Sequence, residues 1–436
     1  MIELADIFRE YGPAYRIKYG ADMLPSHHEA MWAIEHCRTE ALGGHVYDCP
    51  DCDETVYRYH SCRNRHCPKC QGEKAYQWLE RQHELLLPVP YFMLTFTLPE
   101  AVRPVARSHQ RLIYDVLFRT SAAATQQLAA DPRFIGGQIG MVGVLHTWGR
   151  TLTFHPHPHY LIPAGGLSAE GLWVPAREDF LLPVKALSPI FRAKFRDALR
   201  ETDCFTAVPA SVWDQDWVVH CQPVGNGQKA FKYLAPYIFR VALSNSRLVS
   251  CENNQVTFRY RDSHTGQPKL CTLEVEAFIH HFLQHVLPKG FVKVRYYGLL
   301  SPGCRSALAL VRQHLTPANA EPVTPSPGPS AAASDTPSVA PSLRVELEDE
   351  PNAPDAPPAP ASNADSEGAT PPPGPSATAS DAPTSAPSLL VELEDEPNSP
   401  DEPPAPAPPR SVPRCPTCGR PMRRRATLSP KGRAPP

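Results

Sequence analysis

Residues 150–163 read RTLTFHPHPHYLIP, and how this stretch is read decides the fold. Its Thr, Phe, Tyr, Leu and Ile residues suit a pleated, half-buried strand. Within it, His155, His157 and His159 recur at every second position. On an extended chain such positions point to one face, so the imidazoles converge. Neutral imidazoles on one face are ligands for a divalent cation. Pro156 and Pro158 cannot donate to a ladder, which predicts an edge strand open to substrate. A proline-rich turn with solvated histidines is the competing reading of this segment alone.

Working outward, PYFMLTFTLP (90–99) is a second strand bounded by prolines. A helical pattern covers 103–130, and GQKAFKYLAPYIFRVALSNSRL (227–248) reads as a helix running into extended chain. Strands alternating with helices argue for an α/β or α+β domain over about 85–315. In the last segment Tyr233 and Tyr237 are four apart and share a helix face, with Pro236 kinking the axis between them. Alone the pair reads as core packing. Beside a metal that polarises a phosphate, a tyrosine becomes a nucleophile for phosphodiester transfer. Lys229, Lys232 and Arg240 flank the pair and suit a phosphate backbone.

Ahead of the first strand, Cys49-x2-Cys52 is followed after fourteen residues by Cys67-x2-Cys70. Two such knuckles can wrap four thiolates around one structural Zn2+. Cys37, His45, His60, Cys62 and His66 lie near enough in sequence to replace a ligand or to hold a second ion. Arg58, Arg63, Arg65, Lys69 and Lys74 surround the knuckles, so the unit reads as a DNA-contacting zinc ribbon whose cations meet phosphates. The terminal CPTCGRPMRRR carries one more CxxC, Cys415 and Cys418, either half of another ribbon or an unpaired remnant.

The chain has 436 residues, enough for two or three units at ~150 residues per domain. Its net charge of -2 conceals three blocks: +5 over 1–316, -15 over 317–409 and +8 over 410–436. The first block permits nucleic-acid binding. The second is rich in Pro, Ala, Asp and Glu and repeats PSLRVELEDEPNAPDAPPAPA, from Pro341, as PSLLVELEDEPNSPDEPPAPA, 46 residues later. With too few apolar residues for a core, it reads as a duplicated disordered linker. No stretch is long and apolar enough to span a membrane and the amino terminus lacks the order of a secretion signal, which predicts a cytoplasmic protein. Thirteen cysteines then read as metal ligands and buried thiols rather than disulfides.

Taken together, LGGHVYDCPDC, SCRNRHCPKCQ, LTFTLP, LHTWGRTLTFHPHPHYLIPAGG and FKYLAPYIFR, in that order over about 15–315, resemble the two-tyrosine HUH rolling-circle transposases of insertion-sequence family ninety-one. The resemblance implies an α+β catalytic domain, sandwich-like with a central antiparallel sheet, preceded by a small zinc ribbon. It implies that His157 and His159 match the family's His-hydrophobic-His strand, with His155 supplementary and Pro158 as the atypical middle residue. A third ligand has several candidates: His146, His220, Gln222 and Gln228. It further implies Mg2+ or Mn2+ at the histidines, attack by Tyr233 or Tyr237 on single-stranded DNA at transposon ends, a 5′-phosphotyrosine and no nucleotide cofactor.

The resulting division is 1–36 helices, 37–84 zinc-binding domain, 85–316 catalytic domain, 317–409 acidic linker and 410–436 basic tail. A plasmid replication initiator or relaxase shares the chemistry, but no P-loop of a companion helicase appears. A non-catalytic zinc-ribbon regulator is the alternative from another class.

Overall fold

The fold is taken from a computed structural model that describes residues 2–70, 85–226, 242–262, 265–315 and 412–431. In chain order, helices α1 (Leu4–Tyr19) and α2 (Pro25–Glu35) precede the hairpin β1 (Gly44–Asp48) and β2 (Thr55–Tyr59). Strand β3 (Pro90–Phe96) leads to α3 (Arg103–Ser108) and α4 (Gln110–Ala129). The long hairpin β4 (Gln138–Trp148) and β5 (Phe154–Pro163) follows, then β6 (Gly165–Leu167), β7 (Trp173–Pro175), α5 (Val184–Arg200) and β8 (Val219–Asn226). A meander of β9 (Leu248–Glu252), β10 (Gln255–Arg261) and β11 (Pro268–Glu274) leads into α6 (Val275–Gln284), β12 (Val294–Gly298) and α7 (Arg305–Leu315). Strand β13 (Arg423–Leu428) lies in the carboxy-terminal segment.

The central sheet is antiparallel, in the order β7-β6-β4-β5-β3-β8, with β12 also paired to β4. Alternation along its strands sorts side chains to two faces. Phe92, Leu94, Phe96, Leu145, Tyr160 and Ile162 pack beneath α4 and α5, against Phe118 and Phe191. Tyr91, Met93, Val142, Val144 and Leu161 face the other way, toward Leu308 and Val311 of α7. This is a mixed helix-and-strand architecture around an antiparallel sheet, the class anticipated from the alternation of patterns.

Strand β5 is interior rather than at an edge: it pairs with β4 on one side and β3 on the other. The prolines are tolerated because the two ladders have different lengths. Pairing with β3 ends at Thr95↔His159, one residue short of Pro158, whereas pairing with β4 runs on through Leu145↔Pro158 to His146↔His157. A residue with no N–H thus stands where one ladder stops.

A further core joins α1, α2 and α6 to the β9–β11 meander around Phe8, Ile34, Phe258 and Phe278, with Phe8 meeting Phe282 edge to face at 5.5 Å. Leu152, from the β4–β5 turn, is buried in this same core. The third sheet has the order β13-β1-β2, so the end of the chain is a strand beside the amino-terminal hairpin. Among the described residues no helix is long and apolar enough to cross a membrane.

Candidate metal centre and thiol clusters

The row of apolar residues facing α7 turns polar toward one end of the strands. On β4 the same-face sequence is Val142, Val144, His146; on β5 it is Leu161, His159, His157. Because His146 pairs with His157 and Val144 with His159, the three imidazoles form a compact triangle. Ring centroids are 5.4 Å apart for His146–His157, 4.7 Å for His146–His159 and 4.8 Å for His157–His159. One nitrogen of each lies within 4.8 Å of the others.

Hydrogen bonds set the ring orientations. His157 Nδ1 is 2.6 Å from the carbonyl oxygen of His155, and His159 Nδ1 is 2.9 Å from Thr95 Oγ1. With Nδ1–H donating outward, Nε2 becomes the ligand atom, the arrangement by which outer partners orient metal-bound imidazoles. His146 stacks on Trp148 at 5.0 Å and 22°. Burial, reinforced by His157, His155 and His220, holds the His159 pKa well below the usual histidine value, keeping that ring neutral as a ligand must be. The donor set therefore fits a divalent cation.

Close packing on the opposite face fixes the strand that carries the ligands. Tyr160 is fully buried, its hydroxyl donating to the Phe118 carbonyl at 3.2 Å and lying 2.7 Å from Ser121 Oγ. Its ring crosses Gly143, where a Cβ would come within 2.6 Å of the ring. Only glycine admits the aromatic there.

His155 stands outside the triangle. Arg103, at the start of α3, donates from its guanidinium to His155 Nδ1 at 2.8 Å, and burial lowers the His155 pKa to about 2. The expected supplementary ligand instead accepts from the half-buried Arg103 guanidinium. Of the candidates for the remaining position, His146 joins the set; His220 lies across from Thr95 and Gln222 across from Met93 on β8. Gln228, Tyr233, Tyr237, Lys229, Lys232 and Arg240 lie outside the described residues, as does Lys74. Two residues missed in the sequence pack at the end of β4 that carries His146. Lys293 Nζ sits 5.0 Å over the Trp148 ring, with burial lowering its pKa to about 7. His285 Nδ1 is 3.3 Å from Thr147 Oγ1 and its Nε2 3.1 Å from the Leu152 carbonyl, bracing the β4–β5 turn from the end of α6.

The thiols expected to form one site divide between two. Cys67 and Cys70 cluster with Cys37 and Cys62, whereas Cys49 and Cys52 cluster with Cys415 and Cys418. The reason lies in β1 and β2. This hairpin separates the two knuckles, sending Cys49 and Cys52 to its turn and Cys62 to its base, where Cys37 arrives from the end of α2. Cys37 Sγ is 3.2 Å, and Cys62 Sγ 3.6 Å, from Cys70 Sγ. His45 and His60 pack ring to ring at 4.9 Å, and His66 Nε2 accepts from the Leu287 N–H at 3.3 Å, so among the described residues neither cluster takes an imidazole.

A family model described as "Putative transposase", of the two-tyrosine type, matches residues 140–307, and one described as "Transposase zinc-binding domain" matches 7–98. Over 319 residues the chain is 42% identical to "Putative transposase y4qJ" of Sinorhizobium fredii (strain NBRC 101917 / NGR234), covering 68% of this chain and 80% of that protein. Over 291 residues it is 31% identical to the "Transposase for insertion sequence element IS801" of Pseudomonas savastanoi pv. phaseolicola, covering 63% of this chain and 70% of that protein. The chain belongs to the two-tyrosine transposases of insertion-sequence family ninety-one. No solved structure matches it.

In this transposase the first thiol cluster lies within the zinc-binding domain match, with Cys37 and Cys67 buried in the core that holds Phe258 and Phe278. Two of the cations expected to meet DNA are engaged within the protein: Lys69 is ion-paired with Glu3 at the start of α1, and Arg65 donates to the Phe291 carbonyl at 2.8 Å. Arg63 is exposed on the turn between Cys62 and Cys67, with φ 56°. Cys415 and Cys418 fall beyond both family matches.

Proposed function

We propose that this transposase nicks and rejoins single-stranded DNA at insertion-sequence ends in a rolling-circle transfer. The observation that carries the proposal is the His146, His157 and His159 triangle, one ring nitrogen of each within 4.8 Å of the others, with two of its rings held at Nδ1 by outward hydrogen bonds. Mg2+ or Mn2+ held there supplies Lewis-acid polarisation of the scissile phosphate. The chain's own part is nucleophilic. The phenolic oxygen of Tyr233 or Tyr237 forms a bond to phosphorus as its proton leaves. The bond to the 3′-oxygen breaks and that oxygen takes up a proton, leaving a 5′-phosphotyrosine and a 3′-OH. The phosphotyrosine conserves the bond energy, so rejoining needs no nucleotide. A second tyrosine allows a second strand to be cut while the first stays bound.

One described feature supports this reading. Arg103, half-buried beside His155, brings a cation next to the triangle, suited to a DNA phosphate. Lys229, Lys232 and Arg240 extend that role along the strand.

The test incubates purified protein with labelled single-stranded element-end DNA and Mn2+. A boiling-resistant adduct is expected with the wild type and none with Y233F/Y237F. An adduct in the double variant, or none in the wild type, overturns the assignment.

A further inference from the structure

We infer that Cys49, Cys52, Cys415 and Cys418 form a second zinc site, assembled from the two ends of the chain, that staples the carboxy-terminal strand onto the amino-terminal domain. The inference is independent of the DNA chemistry proposed above.

The two halves are near copies of one another. CPDCDE (49–54) and CPTCGR (415–420) each place proline after the first cysteine. Each puts a left-handed residue after the second, Asp53 at φ 55° and Gly419 at φ 72°. In each, the first cysteine's N–H bonds the carbonyl five residues on: Cys49 to Glu54 at 2.8 Å, Cys415 to Arg420 at 2.8 Å. These are two knuckle turns, each presenting both sulfurs to one side. They face each other: Cys49–Cys418, Cys52–Cys415 and Cys52–Cys418 sulfurs are 3.5, 3.4 and 3.6 Å apart. None is in a disulfide. A tetrahedral Zn–S bond of ~2.3 Å sets sulfurs about 3.8 Å apart, close to these separations, and a sulfur-only set of four favours zinc or iron.

The surrounding backbone is shaped for the strand that delivers the second pair. β13 runs antiparallel to β1 from Gly44↔Leu428 to Asp48↔Arg423. Gly43, at φ 67°, leaves room where a Cβ would lie 2.4 Å from the Leu428 carbonyl oxygen. Met422 is buried with Cys49 and Cys415 in a small core of their own. Arg420–Asp51, Arg425–Asp48 and Lys431–Glu40 are ion pairs at 3.5, 3.4 and 2.8 Å. Being exposed, these pairs hold the strand only weakly. A metal-thiolate cluster supplies the missing grip.

The test counts zinc by plasma mass spectrometry in full-length protein after a mild chelator has stripped the histidines. Two zinc ions per chain are expected in the wild type. C415S/C418S and C49S/C52S should each keep one, and the quadruple variant should also keep one, that retained ion reporting an intact Cys37 cluster. A second readout inserts a protease site between 317 and 411. After cleavage the fragment bearing β13 should co-elute with the body, and should leave it when zinc is stripped or in C415S/C418S. Wild-type zinc content in C415S/C418S, or a fragment that departs while both ions remain, overturns the inference. If a variant loses both ions, the cleavage readout on the wild type decides.

Discussion

Thr95 and His159 stand opposite one another across β3 and β5, and their side chains meet, Oγ1 to Nδ1, at 2.9 Å. With a cation on Nε2, Nδ1 carries the proton and donates it to the hydroxyl, which holds the ring in its ligating orientation. Thr95→Val keeps the shape of the side chain and removes the acceptor. Outer-partner substitutions of this kind weaken metal binding by about 10- to 100-fold, whereas a lost hydrogen bond costs the apo fold about 1 kcal/mol. Calorimetric titration with Mn2+ should find the weakened affinity alongside a melting temperature close to wild type; an unchanged affinity would remove Thr95 from the site.

His146 and His155 make opposite predictions. His146 belongs to the triangle, and His155 accepts from Arg103 outside it. His146→Ala should abolish Mn2+ binding, and His155→Ala should leave it within a few-fold of wild type. The reverse pattern would show that the geometry described above is not the ligand set.

Lys293 gives the protein a pH signature. Its ordinary value of 10.5 falls to about 7 in the fold, chiefly through burial. A lowered lysine value means the unfolded chain binds the proton more tightly, so between pH 7 and 10.5 the unfolded state carries more protons and stability rises with pH. Below pH 7 the burial penalty is fully felt. Lys293→Met should therefore raise the denaturation midpoint at pH 7 and flatten the rise toward pH 10; a variant whose slope matches wild type would mean that Lys293 is not the group responsible.

Gly143→Ala drives a methyl into the Tyr160 ring. Overpacking of this sort costs about 1–3 kcal/mol, and the strand displaced is the one bearing His157 and His159. Chemical denaturation should show the loss, accompanied by weaker Mn2+ binding. Unaltered stability would mean that the Tyr160 ring has room to move aside.

Much of the centre was legible because it depends on period-two alternation along one strand, and His157 and His159 announce that directly. His146 was harder. Its signal exists, since LHTW ends the strand that turns back into FHPHPH, but placing it across from His157 requires the hairpin register. The prolines misled for a physical reason. They disqualify a strand from an interior position only if both its ladders run past them, and here one ladder stops at His159. The cysteines were misassigned because CxxC spacing identifies a knuckle but not its partner. The partner of Cys52 lies 366 residues downstream, at Cys418. Lys293 and Arg103 carry no motif at all, and only packing reveals them.

The docking of β13 changes what the intervening chain is. Leu315 ends a helix on the body and Arg423 begins a strand on the amino-terminal hairpin, so the acidic stretch is an excursion with both ends returned to the same molecule rather than a free tail. For any flexible chain held at both ends, the entropic cost of closure grows only with the logarithm of its length, about 0.6 kcal/mol for a doubling. On that scaling, a 46-residue repeat unit between Leu315 and Arg423 changes the cost of holding the two anchors together by no more than that amount. The length of chain between the anchors and the docking of β13 are thus nearly independent variables.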